Sequence, residues 1–226
     1  MSRCADFNSW LGSGAPSYTN HGVSANLNIT TSLSIDAWVR LRQISQDNRS
    51  PIFIRGSVTG YYFNIRRNFI AGKNTLGFTK NAIVDKDSSV DIVNGTPVHI
   101  AVTFNISTGD IIFYRNGVLL QTMNDAAAIL DSAGQTSYIG YTSAGSGVNG
   151  FIYSLNVYNR VLSLAEINYN MNHPQDAIRR GRQLGVTQES WQGGVWKDLS
   201  PNAYDGTPTG VVLSPYNNLA GRQVSL

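Results

Sequence analysis

The chain has 226 residues, of which Asp, Glu, Lys and Arg make up only 14%, against roughly 25% in an average soluble domain, and its formal net charge is +3. Its basic residues are scattered, and the two clusters, Arg66-Arg67 and Arg179-Arg180-Gly181-Arg182, are too short to mark a nucleic-acid surface. No segment approaches the ~20 apolar residues of a membrane span, so length and composition point to one large all-β domain with Asn, Ser, Thr and Gly supplying its polar surface.

Residues 1 to 26 carry irregularly spaced Phe7, Trp10, Leu11, Tyr18 and Val23, which predicts one or two strands joined by a long loop. Cys4 is alone and is read as an inert small hydrophobe, so the chain can form no disulfide with itself. No apolar run of signal-peptide length follows Met1, and the expectation is synthesis and folding in a cytosol. Leu33, Ile35, Ala37, Val39 and Leu41 alternate with Asp36, Trp38 and Arg40, the period of two of a half-buried central strand. Residues 51 to 55, 60 to 66, 75 to 80 and 90 to 93 read as further strands, separated by glycine-containing or polar loops.

The stretch from Thr96 to Met123 holds the strongest local signal. Val98, Ile100, Val102 and Phe104 fall on one face, and His99, Ala101 and Thr103 on the other. Asn116-Gly117 between two apolar runs then predicts a type I′ hairpin, because both central residues of that turn need positive φ. Residues 124 to 132 are Ala-rich and suggest a helical turn, residues 138 to 141 a short strand, and residues 150 to 158 the last clear strand of this block. Ser163 and Glu166 form a capping box for a helix that must end before Pro174.

Four segments carry a family resemblance: I-D-A-W-V-R, P-V-H-I-A-V-T-F followed by F-Y-R-N-G, Y-I-G-Y, and G-F-I-Y-S-L-N-V-Y-N-R-V-L-S-L-A-E-I. In this order and spacing, over about residues 24 to 170, the chain resembles the laminin-G-like branch of the concanavalin-A-like lectin and glucanase superfamily. The resemblance implies a two-sheet antiparallel jelly-roll sandwich with one short helix after the main strands, and structural roles for Trp38, His99, Asn116, Gly117, Gly140 and Gly150. Residues 197 to 207 look like a segment that the family usually places before these strands, yet here it comes last. The organisation expected is therefore a sandwich over 1–172, a linker with a basic segment over 173–194, and C-terminal strands over 195–226 that complete the same sandwich or dock on a neighbour.

Little catalytic chemistry is visible. Hydrolysis of a glycosidic bond needs two neighbouring carboxylates, and the chain has two glutamates, Glu166 in the capping box and Glu189 far along the tail. His21, His99 and His173 share no metal-ligand spacing. Asp198, Asn202 and Asp205 form a cluster that suits calcium, with turn capping as the alternative, and no other cofactor is expected. Residues 142 to 149 make a candidate ligand rim, with Tyr141 and Asn149 as its ligand-binding residues.

A lectin-like sandwich with neither export signal nor disulfide suits a virion surface protein made in a host cytoplasm, decorating a capsid or belonging to a tail or fibre. Its expected partners are other virion proteins or copies of itself, with the Arg179–Arg182 segment and the tail from Gly185 as docking elements; neither nucleic acid nor a membrane span is expected. The alternative is a carbohydrate-binding or adhesion module that takes a host-surface glycan at the loop rim, and the third reading is a glycan hydrolase.

Overall fold

The computed structural model describes residues 3–8, 17–43, 49–67, 72–92, 94–141 and 147–215. The N-terminal half forms β1 (Arg3–Asn8), β2 (Tyr18–Asn20), β3 (Leu33–Gln43), β4 (Arg49–Arg55), β5 (Tyr61–Arg67), β6 (Asn74–Lys80) and β7 (Val84–Asp87). There follow β8 (Val98–Asn105), β9 (Asp110–Arg115), β10 (Val118–Asn124), β11 (Ser137–Ile139), β12 (Asn149–Tyr158) and the helix α1 (Leu164–Asn172). The C-terminal region supplies β13 (Arg182–Thr187), β14 (Trp191–Gln192), β15 (Val195–Trp196), β16 (Thr207–Thr209) and β17 (Val212–Pro215).

Two antiparallel sheets form a sandwich. One runs β10-β9-β8-β3-β12-β1-β17, with β13 also paired to β12, and the other runs β16-β2-β11-β4-β5-β6-β7. The alternating residues of β3 and β8 do what their period demands. Leu33, Ile35, Val39, Ile100, Val102 and Phe104 share one buried core with Phe53, Phe63, Leu76 and Phe78 of the opposite sheet. Each such side chain contributes about 1.5–3 kcal/mol by leaving water. The β9–β10 hairpin turns at Asn116 and Gly117, both with positive φ, and the Asn116 side chain also accepts the amide of His99. At Gly150 the strands approach so closely that a Cβ would lie 2.2 Å from the carbonyl oxygen of Arg40, and at Gly140 it would strike the ring of Phe7.

The helix lies against the outward face of the first sheet. Ser163 and Glu166 cap it reciprocally, and the Trp38 indole donates to the carbonyl of Met171. Beneath it Asp36 accepts from the amides of Asn156 and Asn170, and Asn170 also donates to the Tyr158 hydroxyl. His99 is fully buried beside Trp38, its Nε2 3.6 Å from Asp36.

Two expectations are corrected. Residues 125–132 are not helical, because the carbonyls of Asp125 and Ala127 accept from the buried Lys80 ammonium, and Asp125 pairs with it at 2.7 Å. Nor is 173–194 a linker: β13 pairs with the second half of β12, on the edge whose first half pairs with β1. Leu184 and Val186 enter the core there. The basic segment is divided in the same way, since Arg182 is buried and donates to the carbonyls of Ala177 and Leu199, whereas Arg179 and Arg180 face solvent.

The C-terminal strands pair within the chain. β16 pairs with β2 at one edge of the second sheet, and β17 pairs with β1 at one edge of the first. Trp196 is buried against Phe7 and Trp191. Residues 216–226 of the expected C-terminal segment lie outside the described residues.

Candidate functional site

Asp198, Asn202 and Asp205 stand in one turn, but their oxygens already serve the protein. Asp198 accepts from the amides of Gly185, Ser200 and Tyr204 and from the Ser200 hydroxyl. Asp205 accepts from the amide of Asp198 and from Lys197, which with other donors holds its carboxyl below the usual range. Asn202 bonds to Gln183 and Asn26. A calcium ion would have to displace these donors, and among the described residues no three His, Cys, Asp or Glu side chains converge as metal ligands. The cluster fits a structural clasp that fastens the turn to β13.

The glutamates are equally committed or remote. Glu166 forms a two-point ion pair with Arg160 and caps α1 through Ser163, which together hold its carboxyl at about 2. Glu189 sits in a single helical turn after β13. His99 and Asp36 are sealed beneath α1, so neither meets solvent. The structure thus gives His99 and Trp38 the places of scaffold residues on the helix-covered face.

The two flanks of the rim pair with each other: Tyr141 bridges to Gly147, and the amide of Val148 donates to the carbonyl of Gly140. Tyr141 is partly exposed there, whereas Asn149 is buried at the start of β12, opposite Asn8 and Gln43 of the first sheet. Residues 142–146 of the expected rim lie outside the described residues.

At Tyr141 the fold assembles a group that spacing along the chain does not announce. Tyr138 of β11 lies opposite Asn20 of β2 and Ile54 of β4. Its neighbours Ser137 and Ile139 are buried, so Tyr138 projects from the outward face. Tyr18 of β2 stacks on Tyr141 with centroids 4.7 Å apart and planes 24° apart, and Tyr138 meets both rings nearly edge-on, at 5.6 and 6.1 Å. All three rings are partly exposed. Such offset-stacked and edge-to-face contacts stabilise each aromatic pair by about 0.5–1.5 kcal/mol beyond area burial, so the three rings support one another.

Beside it lies a pocket of about 100 Å³ lined by Ile54, Gly56, Ser57, Gln135, Thr136 and Tyr138. Its floor is held from within by Arg55, whose guanidinium donates to the carbonyls of Ser132 and Gln135 and to the hydroxyls of Ser132 and Ser137. Burial pulls that guanidinium below the usual arginine value. The amide of Gly56 also donates to the carbonyl of Thr136, so the 132–137 segment is pinned along its length. Aromatic rings, one aliphatic wall and a few neutral hydrogen-bonding groups make a surface suited to a small, amphipathic, uncharged ligand.

The C-terminal strands support this group. β16 pairs with β2 so that Thr209 is opposite Tyr18 and Thr207 opposite Asn20. Ser17 donates to the carbonyl of Gly210, and His21 bonds to the carbonyl of Tyr204 and the hydroxyl of Thr19. The only sequence signal for the cluster was the Y-I-G-Y segment; Tyr18 is 120 residues from Tyr138, and only strand pairing joins them.

Comparison with known proteins agrees with this architecture. A family model described as the concanavalin A-like lectin/glucanases superfamily, in its laminin-G form, matches residues 13–168. Among solved structures, a candidate carbohydrate-binding protein from Bacteroides ovatus superposes with a TM-score of 0.73 at 17% identity over 96% of this chain. This chain spans 61% of that protein's length. A heptameric SAP-like pentraxin from Limulus polyphemus gives 0.62 at 16% identity over 94% of both chains. The CBM40 module of a Ruminococcus gnavus IT-sialidase gives 0.55 at 16% identity, covering 71% of this chain and 96% of the module. No curated protein sequence matches. With a family model covering well over half its length and the two-sheet sandwich it requires, the chain belongs to the concanavalin A-like lectin/glucanases superfamily.

Proposed function

We propose that the chain is a non-catalytic carbohydrate-binding module whose ligand rests on Tyr18, Tyr138 and Tyr141 and reaches the pocket beside them. One observation carries this reading: three tyrosines brought together from distant positions form a partly exposed cluster next to a neutral, hydrogen-bonding pocket. A sugar ring presents an apolar face of C–H groups and an edge of hydroxyls, and this pairing of rings with neutral polar groups is complementary to both. The neighbours described as carbohydrate-binding lend the same support at the level of the fold. Glycan-array screening followed by titration calorimetry tests it. Tyr138→Ala and Tyr141→Ala should each weaken saccharide binding by about tenfold, roughly 1.4 kcal/mol, while the cooperative unfolding transition is retained. Binding unchanged in both variants would place the ligand elsewhere.

A second reading places the module on a virion surface, as capsid decoration or part of a tail or fibre. The single cysteine favours it, because a chain that forms no disulfide with itself suits a β-sandwich matured in a reducing cytosol. Co-sedimentation with assembled particles in many copies is the expected result, and a chain that stays in the supernatant would count against it.

A further inference from the structure

Resting on the carbohydrate-binding reading, we infer that this site selects uncharged glycans and discriminates against those bearing a carboxylate or sulfate at the bound residue. The inference comes from the charge inventory of the site rather than from its shape. None of Ile54, Gly56, Ser57, Gln135, Thr136 and Tyr138 carries a formal charge, and neither do Tyr18, Asn20 and Tyr141 beside them.

The cation next in sequence, Arg55, does not serve an external anion. It is fully buried, and its donors are spent on the oxygens of Ser132, Gln135 and Ser137 inside the fold. Turning it outward would leave those oxygens unpaired, a cost the binding of an anion would have to repay. The other buried lysine and arginine are committed as well, Lys80 to Asp125 and the carbonyl of Ala127, and Arg182 to the carbonyls of Ala177 and Leu199.

What the pocket offers instead is neutral hydrogen bonding. Gln135 receives the amide of Ser57 on Oε1, which directs its Nε2 as a donor. Ser57 and Thr136 add a hydroxyl each to the pocket lining. Hydroxyls and a carboxamide match sugar hydroxyls one for one, since each group can donate or accept. A carboxylate brought here would surrender water without gaining a cation, and such a group is costly to desolvate unpaired. The pocket is small, about 100 Å³, so it takes the edge of one sugar ring while the tyrosines take an apolar face.

The test uses the full chain, isotopically labelled, and a panel of neutral hexose, pentose and N-acetylhexosamine oligosaccharides. Each is paired with a charged counterpart, for example lactose with 3′-sialyllactose and with sulfated lactose. The expected result is a neutral ligand that shifts the Gln135 side-chain amide and the Tyr138 resonances, with its charged partner bound at least tenfold more weakly. Equal or tighter binding of the charged member at the same resonances would overturn the selectivity and leave the carbohydrate reading standing. Absence of binding by every saccharide, neutral or charged, would overturn the carbohydrate reading itself. Ser57→Lys, at an exposed lining position, supplies the missing cation. It should narrow the preference for neutral ligands by at least fivefold, and an unchanged preference would show that the pocket does not set it.

Discussion

The outward faces of the two sheets have been put to opposite uses. On the β3–β8–β12 side a helix covers a set of polar groups and satisfies most of them internally: Asp36 by Asn156 and Asn170, Tyr158 by Asn170 and the carbonyl of Ile178, Trp38 by Met171. On the β2–β11–β4 side the tyrosines and pocket hydroxyls remain partly exposed. One face spends its polar chemistry on its own stability, and the other keeps it available. The buried pair of histidine and aspartate, His99 beside Asp36, therefore belongs to the scaffold, while the site carries no charge.

The sharpest test of this division is Arg55, which lies beneath the open face and belongs to both categories. Arg55→Met leaves the buried oxygens of Ser132, Gln135 and Ser137 without their donor, at about 1–3 kcal/mol each, so it should give the largest loss of stability in denaturant unfolding and also weaken saccharide binding through the misplaced Gln135. Loss of stability with binding intact would separate the pocket from its floor. On the sealed face, Asp36→Ala leaves the amides of Asn156 and Asn170 unpaired and should cost about 2–4 kcal/mol. Its saccharide affinity should stay within twofold of the native chain, and a larger change would show that the two faces communicate.

Acid should act between these extremes. Burial lowers the pKa of His21, with the carbonyl of Tyr204 and the charges of Asp198 and Asp205 opposing it in part. The folded state therefore prefers the neutral ring. This contribution is fully present above the ordinary value of 6.5 and is lost as pH falls from there towards the lowered folded value. Denaturation midpoints should decline over that window, and His21→Gln should flatten the decline if this clamp between β2 and the C-terminal strands is its cause. The smallest effect is expected at Arg179, whose pair with Asp176 is largely exposed on both sides. Arg179→Ala should leave the thermal midpoint and saccharide binding unchanged within error; a measurable loss of either would give the exposed basic segment a role.

Much of the sandwich was legible because its signals are local. The alternation in β3 and β8, the Asn116-Gly117 turn and the Ser163–Glu166 capping box each declare their structure within a few residues. β13 was hidden since Leu184 and Val186 are its two apolar core residues and arginines precede them; its strand character comes from the edge of β12 that it completes. Asp198 and Asp205 resembled cation ligands because a carboxylate capping a turn and one awaiting a metal are the same residue in the same loop composition. Only the donors around them distinguish the two.

By itself the sequence determined the class of fold, the positions of the main strands and the helix start, because side-chain periodicity and turn chemistry act over short distances. Tertiary structure alone decided the pairing of the C-terminal strands with β1 and β2, the burial of Asn149 where Tyr141 stays partly exposed, and the meeting of Tyr18 with Tyr138 and Tyr141. Those outcomes depend on which strand edges find each other, and antiparallel edges are joined by register across the whole chain rather than by any property of the residues nearest in sequence.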